Sequence, residues 1–391
     1  MSATGGAGFV PPAYPYDRLE PAKKAAAGFD GGIIDLSIGT PSDPPPAGVL
    51  ETLAAVSSTA DADGAARGYP PSIGTRVFRE AVRAWTAARL GAAVPAEAIG
   101  ACVGTKEFVA TTPQWLKLRR PDRDTVLYPA VSYPTYEMGA TLAGLRAVAV
   151  PLDRNWRLDL AAVDPADAAR ALMLWVNTPG NPAGGLDDLE AAAGWGLAHG
   201  VPVFSDECYA EFTWDGPPRT VLGHGAGPDG IDGVVAVHSL SKRSNMAGMR
   251  VGWYAGDPDL VAYLQEVRKH AGLMVPGPVQ QAAVAALADQ DHVERQRGLY
   301  LERLRFAAEV LAAVGVSCPL PGGGFYLWAP VPGGDEWEWT SWLASTGGAL
   351  VSPGSFYGPA GAGFVRLAAV APMERLQLMA SRLGVQPRPT P

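Results

Sequence analysis

The sequence predicts an α/β protein, with a large domain built on a mostly parallel central sheet and a smaller α+β domain beside it. Three observations carry that expectation. A chain of 391 residues exceeds what one core usually organises, at roughly 100–200 residues per domain. Apolar runs at 125–128 (TVLY), 171–176 (ALMLWV), 201–204 (VPVF) and 234–237 (VVAV) have strand length and are separated by helical or Gly/Pro-rich stretches. Strands that alternate with helices fold as a parallel sheet with crossover helices. Beyond Pro258 the pattern turns helical, and over 316–391 it mixes short strands with glycine turns such as Pro321-Gly322-Gly323-Gly324.

Taken in order, the first fifteen or so residues read as a Pro/Gly-rich arm. Val77, Phe78, Ala81, Val82, Trp85 and Ala88 fall at helical spacing, and Gly91 is placed to stop that helix. Asp257 is a candidate N-cap with Pro258 at the first helical position. Longer helical text spans about 291–314, and a last helix covers 372–383. The expected division is an arm and part of the small domain over 1–40, the large domain over 41–275, and the small C-terminal domain over 276–391.

Composition excludes several classes. The 47 glycines and 36 prolines are about a fifth of the chain, below the share of roughly a quarter that marks low-complexity sequence. A net charge of −8 without a basic block argues against nucleic-acid binding. Cys102, Cys208 and Cys318 are too few to pair completely and lack metal-ligand spacing, which fits a reducing compartment and no metal. The first residues lack the basic flank and apolar run of a signal peptide, and no stretch reaches 18 uninterrupted apolar residues. A cytoplasmic protein without membrane attachment is expected.

Residues of unlike chemistry follow the apolar runs: Asn181 in NTPGNPAGG, Asp206 and Tyr209 in SDECYAEF, and Lys242 in HSLSKRSNMAGMR. In open α/β sheets ligands sit beyond the carboxyl ends of the strands, so residues distant in sequence converge there. Singly, each has a plainer reading: Asp206 as a helix N-cap, Asn181-Pro182 as an ordinary turn, Lys242 as a solvated lysine. Together, a carboxylate, an amide, a phenol and a lysine are the groups needed to hold a pyridine-aldehyde cofactor covalently.

From Leu36-Ser37-Ile38-Gly39 to Arg366 these segments resemble class I/II pyridoxal-phosphate aminotransferases of fold type I. The series GTPSDPPP, YPTYEMGA, SDECYAEF, VHSLSKRSNMAGMRVGW, EVRKHAGLMVPGPVQ and SPGSFYGPAGAGFVRLA resembles the actinobacterial N-succinyldiaminopimelate aminotransferases. The resemblance implies pyridoxal 5′-phosphate bound covalently to Lys242, whose amine then moves the proton during transamination. It implies that Asp206 faces the protonated pyridine nitrogen, that Asn181 and Tyr209 hydrogen-bond the phenolic oxygen, and that Tyr133 stacks on the ring, with Tyr136 the fallback. Lys242, Asp206 and Tyr209 are thus the implied catalytic set.

For the phosphate, the resemblance points to Gly104-Thr105-Lys106 at a strand-to-helix passage, with Ser239, Ser241 and Arg250. No GxxxxGK[ST] motif exists, and Pro113 is expected to kink the helix that follows Gly104. Tyr69 in GYPPSIG resembles a tyrosine that reaches the partner's phosphate across a homodimer interface. Arg366, in an apolar run, resembles the arginine that takes the substrate α-carboxylate bidentately, with Gly39 and Asn181 also at the substrate. Arg243, Lys269 and His270 are basic residues in family-like segments, each equally readable as solvated surface.

The implied function is aminotransfer between amino and keto acids, specifically N-succinyl-LL-2,6-diaminopimelate and 2-oxoglutarate in lysine (diaminopimelate) biosynthesis. Two alternatives stay open: a pyridoxal-phosphate aminotransferase or C–S lyase acting on another amino acid, and a non-catalytic regulatory protein that binds the cofactor.

Overall fold

A computed structural model describes residues 9–12, 14–58 and 67–386, and the strands and pairs counted below are those of the described residues. Most of the predicted N-terminal arm, residues 1–8 and 13, lies outside them. Strand β1 (Ile34–Asp35) comes first. Next come β2 (Ile99–Cys102), β3 (Thr125–Pro129), β4 (Arg146–Val150), β5 (Ala171–Asn177), β6 (Val203–Asp206), β7 (Val234–Ser239) and β8 (Gly252–Gly256). The last seven form one sheet in the order β2-β8-β7-β6-β5-β3-β4. Only β8 runs against its neighbours; the other pairings are parallel.

Three of the four apolar runs lie within strands of this sheet and the fourth, 201–204, enters β6 at Val203, while β5 is buried along its whole length. Helices cover both faces of such a strand, so its sequence is continuously apolar rather than alternating. Strands β2, β4 and β8 carry no such run. Gly100 in β2 and Gly252 and Gly256 in β8 interrupt the pattern because neighbours crowd them: a Cβ on Gly100 would lie 2.3 Å from the Tyr254 ring. The edge strand β4 is half-exposed.

Beyond β8, Asp257 caps the helix Pro258–His270 through the amides of Asp259 and Leu260. A second unit contains β9 (Tyr326–Pro330), β10 (Ala349–Leu350), β11 (Ser352–Pro353) and β12 (Phe364–Ala368). Strands β11, β12 and β9 pair antiparallel, and β1 joins β10 in parallel. Its core packs Ile34 and Leu36 with Leu304, Leu311, Leu327 and Leu343. The expected helices 291–314 and 372–383 appear as Asp291–Ala313 and Met373–Arg382.

The expected domain boundary needs correction. The expected division puts the helix Gly277–Ala288 in the small domain, yet its Ala282, Ala283, Ala286 and Leu287 pack in the large core with Val49, Phe78 and Val82. The division between the two cores therefore falls after Ala288 rather than near 275. Pro113 lies inside a helix that continues past it, from Thr105 to Arg119. The Val109 carbonyl, which Pro113 cannot bond, faces Gly139 of the helix Thr135–Leu142, where a Cβ would lie 2.8 Å away.

Candidate active site

Because β5, β6 and β7 are parallel, their last residues Asn177, Asp206 and Ser239 share one edge of the sheet. A cleft of about 490 Å³ opens there, lined by residues from distant stretches of chain, among them Asn181, Asp206, Tyr209, Lys242 and Arg366. The convergence expected from the strand ends is present. Asn177, which sequence reading passed over, holds the loop: its amide donates to the Asp206 carbonyl at 3.0 Å and its side-chain oxygen accepts from the Asn181 amide at 2.8 Å.

Lys242 sits on the short helical turn Leu240–Arg243, which Ser239 caps. Its ammonium donates to the Gly39 carbonyl. The plain surface-lysine reading fails, because burial in the cleft pulls its pKa down to about 8, and Arg366 and Arg250 push the same way. A lysine in that range is available as a neutral amine near physiological pH.

Asp206 lies on the cleft floor. Its Oδ2 accepts from the Tyr136 hydroxyl at 2.9 Å and its Oδ1 from the Cys208 amide at 3.2 Å. The N-cap reading survives only as this local turn. Burial raises the carboxyl pKa while those two hydrogen bonds oppose it, so a buried cation would be a favourable partner. Tyr136 also lines the cleft, with its hydroxyl held by this bond and its side chain buried. Tyr133 is half-buried on the cleft wall and presents a more accessible aromatic ring there than Tyr136 does. The Tyr209 hydroxyl meets that of Tyr326 at 2.8 Å.

Gly104 has φ +78°, and a Cβ there would lie 2.0 Å from the Arg250 guanidinium, so backbone and cation approach closely. The Glu107 carboxylate accepts from the Val103 amide at 3.1 Å and pairs with buried Arg268 through two bonds of 2.8 Å. That pair lies at the entry to the helix Thr105–Arg119, and the first amides of a helix have no intrahelical acceptor and suit an anion. Ser239 and Ser241 are joined hydroxyl to hydroxyl at 2.8 Å. The Lys106 side chain does not fold back onto this turn; its ammonium lies 5.5 Å from the Tyr14 ring centroid and 5.6 Å from that of Tyr133.

Arg366, on β12, donates to Asn181 Oδ1 at 2.8 Å, to the Tyr16 hydroxyl at 3.3 Å and to the Ser37 carbonyl. The rings of Tyr326 and Tyr357 stand 4.2 Å and 4.9 Å from its guanidinium carbon. Its Nε is buried without a partner, and none of its bonds among the described residues is to a carboxylate. A buried guanidinium so placed is a receptor for an anion.

Other candidates stand apart. Tyr69 is 95% exposed and lies outside the cleft. Arg243 is buried and does not line the cleft, bonded to Glu211 at 3.2 Å and to the Ala286 carbonyl at 2.7 Å. Lys269 pairs with Glu266 at the surface, and His270 is exposed. The cleft residues Tyr14, Tyr16, Cys208 and Tyr326 were not singled out in sequence; only the glycine turn before Phe325-Tyr326 offered a signal.

These donors fit an anionic, aromatic aldehyde cofactor. The cleft supplies a desolvated amine, a buried carboxylate for a ring cation, an aromatic wall and an amide cradle beside Arg250. The match to the model for aminotransferase class I and II spans residues 31–383. The chain is 41% identical to the 4-dedimethylamino-4-oxo-anhydrotetracycline transaminase OxyQ of Streptomyces rimosus, covering 95% of this chain and 99% of that one. It is 34% identical to an LL-diaminopimelate aminotransferase of Desulforudis audaxviator, covering 95% of each. The fold superimposes on a probable N-succinyldiaminopimelate aminotransferase of Thermus thermophilus with TM-score 0.83 and 32% identity, over 94% of this chain and 98% of that structure. Given a family match that takes in both cores and the cleft between them, the chain belongs to the pyridoxal-phosphate-dependent class I and II aminotransferases.

Proposed function

We propose that this aminotransferase moves the amino group between glutamate and N-succinyl-2-amino-6-oxopimelate, the succinyldiaminopimelate reaction. The observation that carries this reading is a pair of cations on one cleft. Arg366 is deep and without an acid partner among the described residues, and Lys106 is an exposed residue of the same cleft beside Tyr14 and Tyr133. Such a cleft suits a substrate with carboxylates at both ends. The likeness to the Thermus protein and to the LL-diaminopimelate aminotransferase supports the same choice.

When bound, pyridoxal phosphate supplies an aldehyde carbon that accepts the amino group and a ring that delocalises the electron pair left on the substrate α-carbon. In this reading the Lys242 amine takes the proton from that carbon and returns it one position away. Asp206 keeps the ring nitrogen protonated; at about 4 Å and an effective dielectric near 20 the attraction is roughly 4 kcal/mol. Asn181 and Tyr209 donate to the phenolic oxygen, and Tyr133 covers one face of the ring. The amides after Gly104, with Ser239, Ser241 and Arg250, hold the phosphate. Arg366 orients the α-carboxylate, Gly39 and Asn181 border it, and Tyr69 serves the neighbouring subunit of a homodimer.

The similarity to OxyQ over nearly the full length favours a second reading, transamination of a larger oxo substrate. A panel of amino acceptors assayed with glutamate separates the two. The proposal expects kcat/KM for the succinylated oxopimelate to exceed that for unsuccinylated, aliphatic and polycyclic acceptors by at least about a hundredfold, or some 2.7 kcal/mol. Preference for an acceptor without a distal carboxylate would overturn it.

A further inference from the structure

Tyr326 occupies a position that none of the roles above requires. Its side chain is 2% exposed on β9, and it touches three functional groups at once. The hydroxyl lies 2.8 Å from that of Tyr209. The ring face lies 4.2 Å from the Arg366 guanidinium carbon. The hydroxyl also presses on Gly39, where an added Cβ would sit 2.0 Å from it, and the Gly39 carbonyl is the acceptor for Lys242.

The hydroxyl pair carries a directional constraint. Each tyrosine has one proton, so one of the two must donate to the other. If Tyr209 donated to Tyr326, its proton would no longer be available to the cleft. If Tyr326 donates, Tyr209 keeps its proton for an acceptor there. The cation beside the Tyr326 ring favours the second arrangement, since it draws electron density from the phenol and makes that hydroxyl the better donor.

We propose that Tyr326 is a positioning residue for transamination: its hydroxyl donates to Tyr209 and thereby turns the Tyr209 proton toward the cofactor. The inference rests on the role proposed above for Tyr209. Gly39 keeps the arrangement in place, because any side chain at that position would displace the Tyr326 hydroxyl. A chain of two hydrogen bonds is stronger than its parts, by roughly 10–30% per bond. Losing the first donor should therefore weaken the second bond without abolishing it.

The test is the pH titration of the visible absorbance of the holoenzyme, in which a donor to the phenolic oxygen lowers the midpoint by stabilising the deprotonated oxygen. Tyr209→Phe should raise the midpoint by roughly 1–2 pH units, the worth of one hydrogen bond to a charged group. Tyr326→Phe, which keeps the ring against Arg366, should raise it by roughly 0.3 pH unit. The double variant should match Tyr209→Phe alone, because Tyr326 acts only through Tyr209. An unmoved midpoint in Tyr326→Phe, or a Tyr326 shift that persists once Tyr209 is phenylalanine, would overturn the inference while leaving Tyr209 in its role. An unmoved midpoint in Tyr209→Phe would overturn both. Thermal melting of the apoenzyme within about 3 °C of the wild type establishes that Tyr326→Phe folds.

Discussion

Removing the Arg366 guanidinium is the most direct perturbation of substrate binding. Its hydrogen bonds among the described residues go to neutral oxygens of Asn181, Ser37 and Tyr16, while its Nε is left without a partner. A substrate carboxylate would therefore be the charge partner it lacks. Truncating one member of a desolvated, hydrogen-bonded charge pair costs roughly 2–5 kcal/mol. At 1.36 kcal/mol per decade, the dissociation constants of glutamate and 2-oxoglutarate should each rise by roughly 30- to 5,000-fold in Arg366→Ala. Arg366→Lys should recover only part of that loss, because an ammonium cannot make the parallel pair of bonds. Single-turnover spectroscopy of the holoenzyme reads both ligands, and cofactor content should stay at wild-type levels. Glutamate affinity within threefold of wild type would refute the assignment, and the carboxylate site would have to be sought at Lys106 or Arg250.

Four further outcomes follow from the same geometry. Borohydride reduction of the holoenzyme should fix the cofactor to Lys242, and peptide mapping of the label to Lys106 would disprove that attachment. Lys242 has a pKa pulled from 10.5 to about 8, so the unfolded chain binds the extra proton between those values and stability rises with pH across that window; Lys242→Met should stabilise the apoenzyme at pH 7 and lose that advantage by about pH 10.5 in denaturant titrations. Asp206→Ala should slow α-proton removal about a thousandfold, from ~4 kcal/mol of lost attraction, with an altered visible spectrum; an unchanged single-turnover rate would contradict the ring-nitrogen role. If Tyr69 serves the partner subunit, mixing subunits of Tyr69→Phe and Lys242→Ala, each impaired alone, should restore part of the activity, whereas no recovery after subunit exchange would place Tyr69 elsewhere.

The parts of this protein that could be read from sequence are those whose position depends on one strand and its exit. Asp206 ends β6 and Lys242 follows β7 by three residues, so an apolar run followed by a polar residue locates both. Strands β2 and β8 escaped because tertiary crowding demands glycines in them, which dilutes the apolar signal that marks a strand. What lies beside Pro113 was not legible either: the carbonyl that Pro113 cannot bond faces Gly139, a residue of a separate helix. The helix Gly277–Ala288 packs in the large core although its sequence does not say so, because its small residues carry no mark of the partner they pack against.

The same distinction explains why the chemistry of the site was more legible than its selectivity. The cofactor-facing groups sit on the parallel strands of one sheet, whose register brings Asn177 beside Asp206 and Asp206 beside Val237. Tyr14 and Tyr16 arrive from the arm and Tyr326 and Arg366 from the small domain, so their meeting depends on how two cores dock. Sequence spacing contains no measure of that. Arg243 shows the converse error, a basic residue adjacent to Lys242 in the chain yet buried against Glu211. Successive residues of a helical turn point about 100° apart, so neighbours in sequence face different surroundings. Selectivity for a distal carboxylate should accordingly respond to changes in the arm and at Lys106, whereas changes at Arg243 should act through the position of the Lys242 turn and affect all substrates alike.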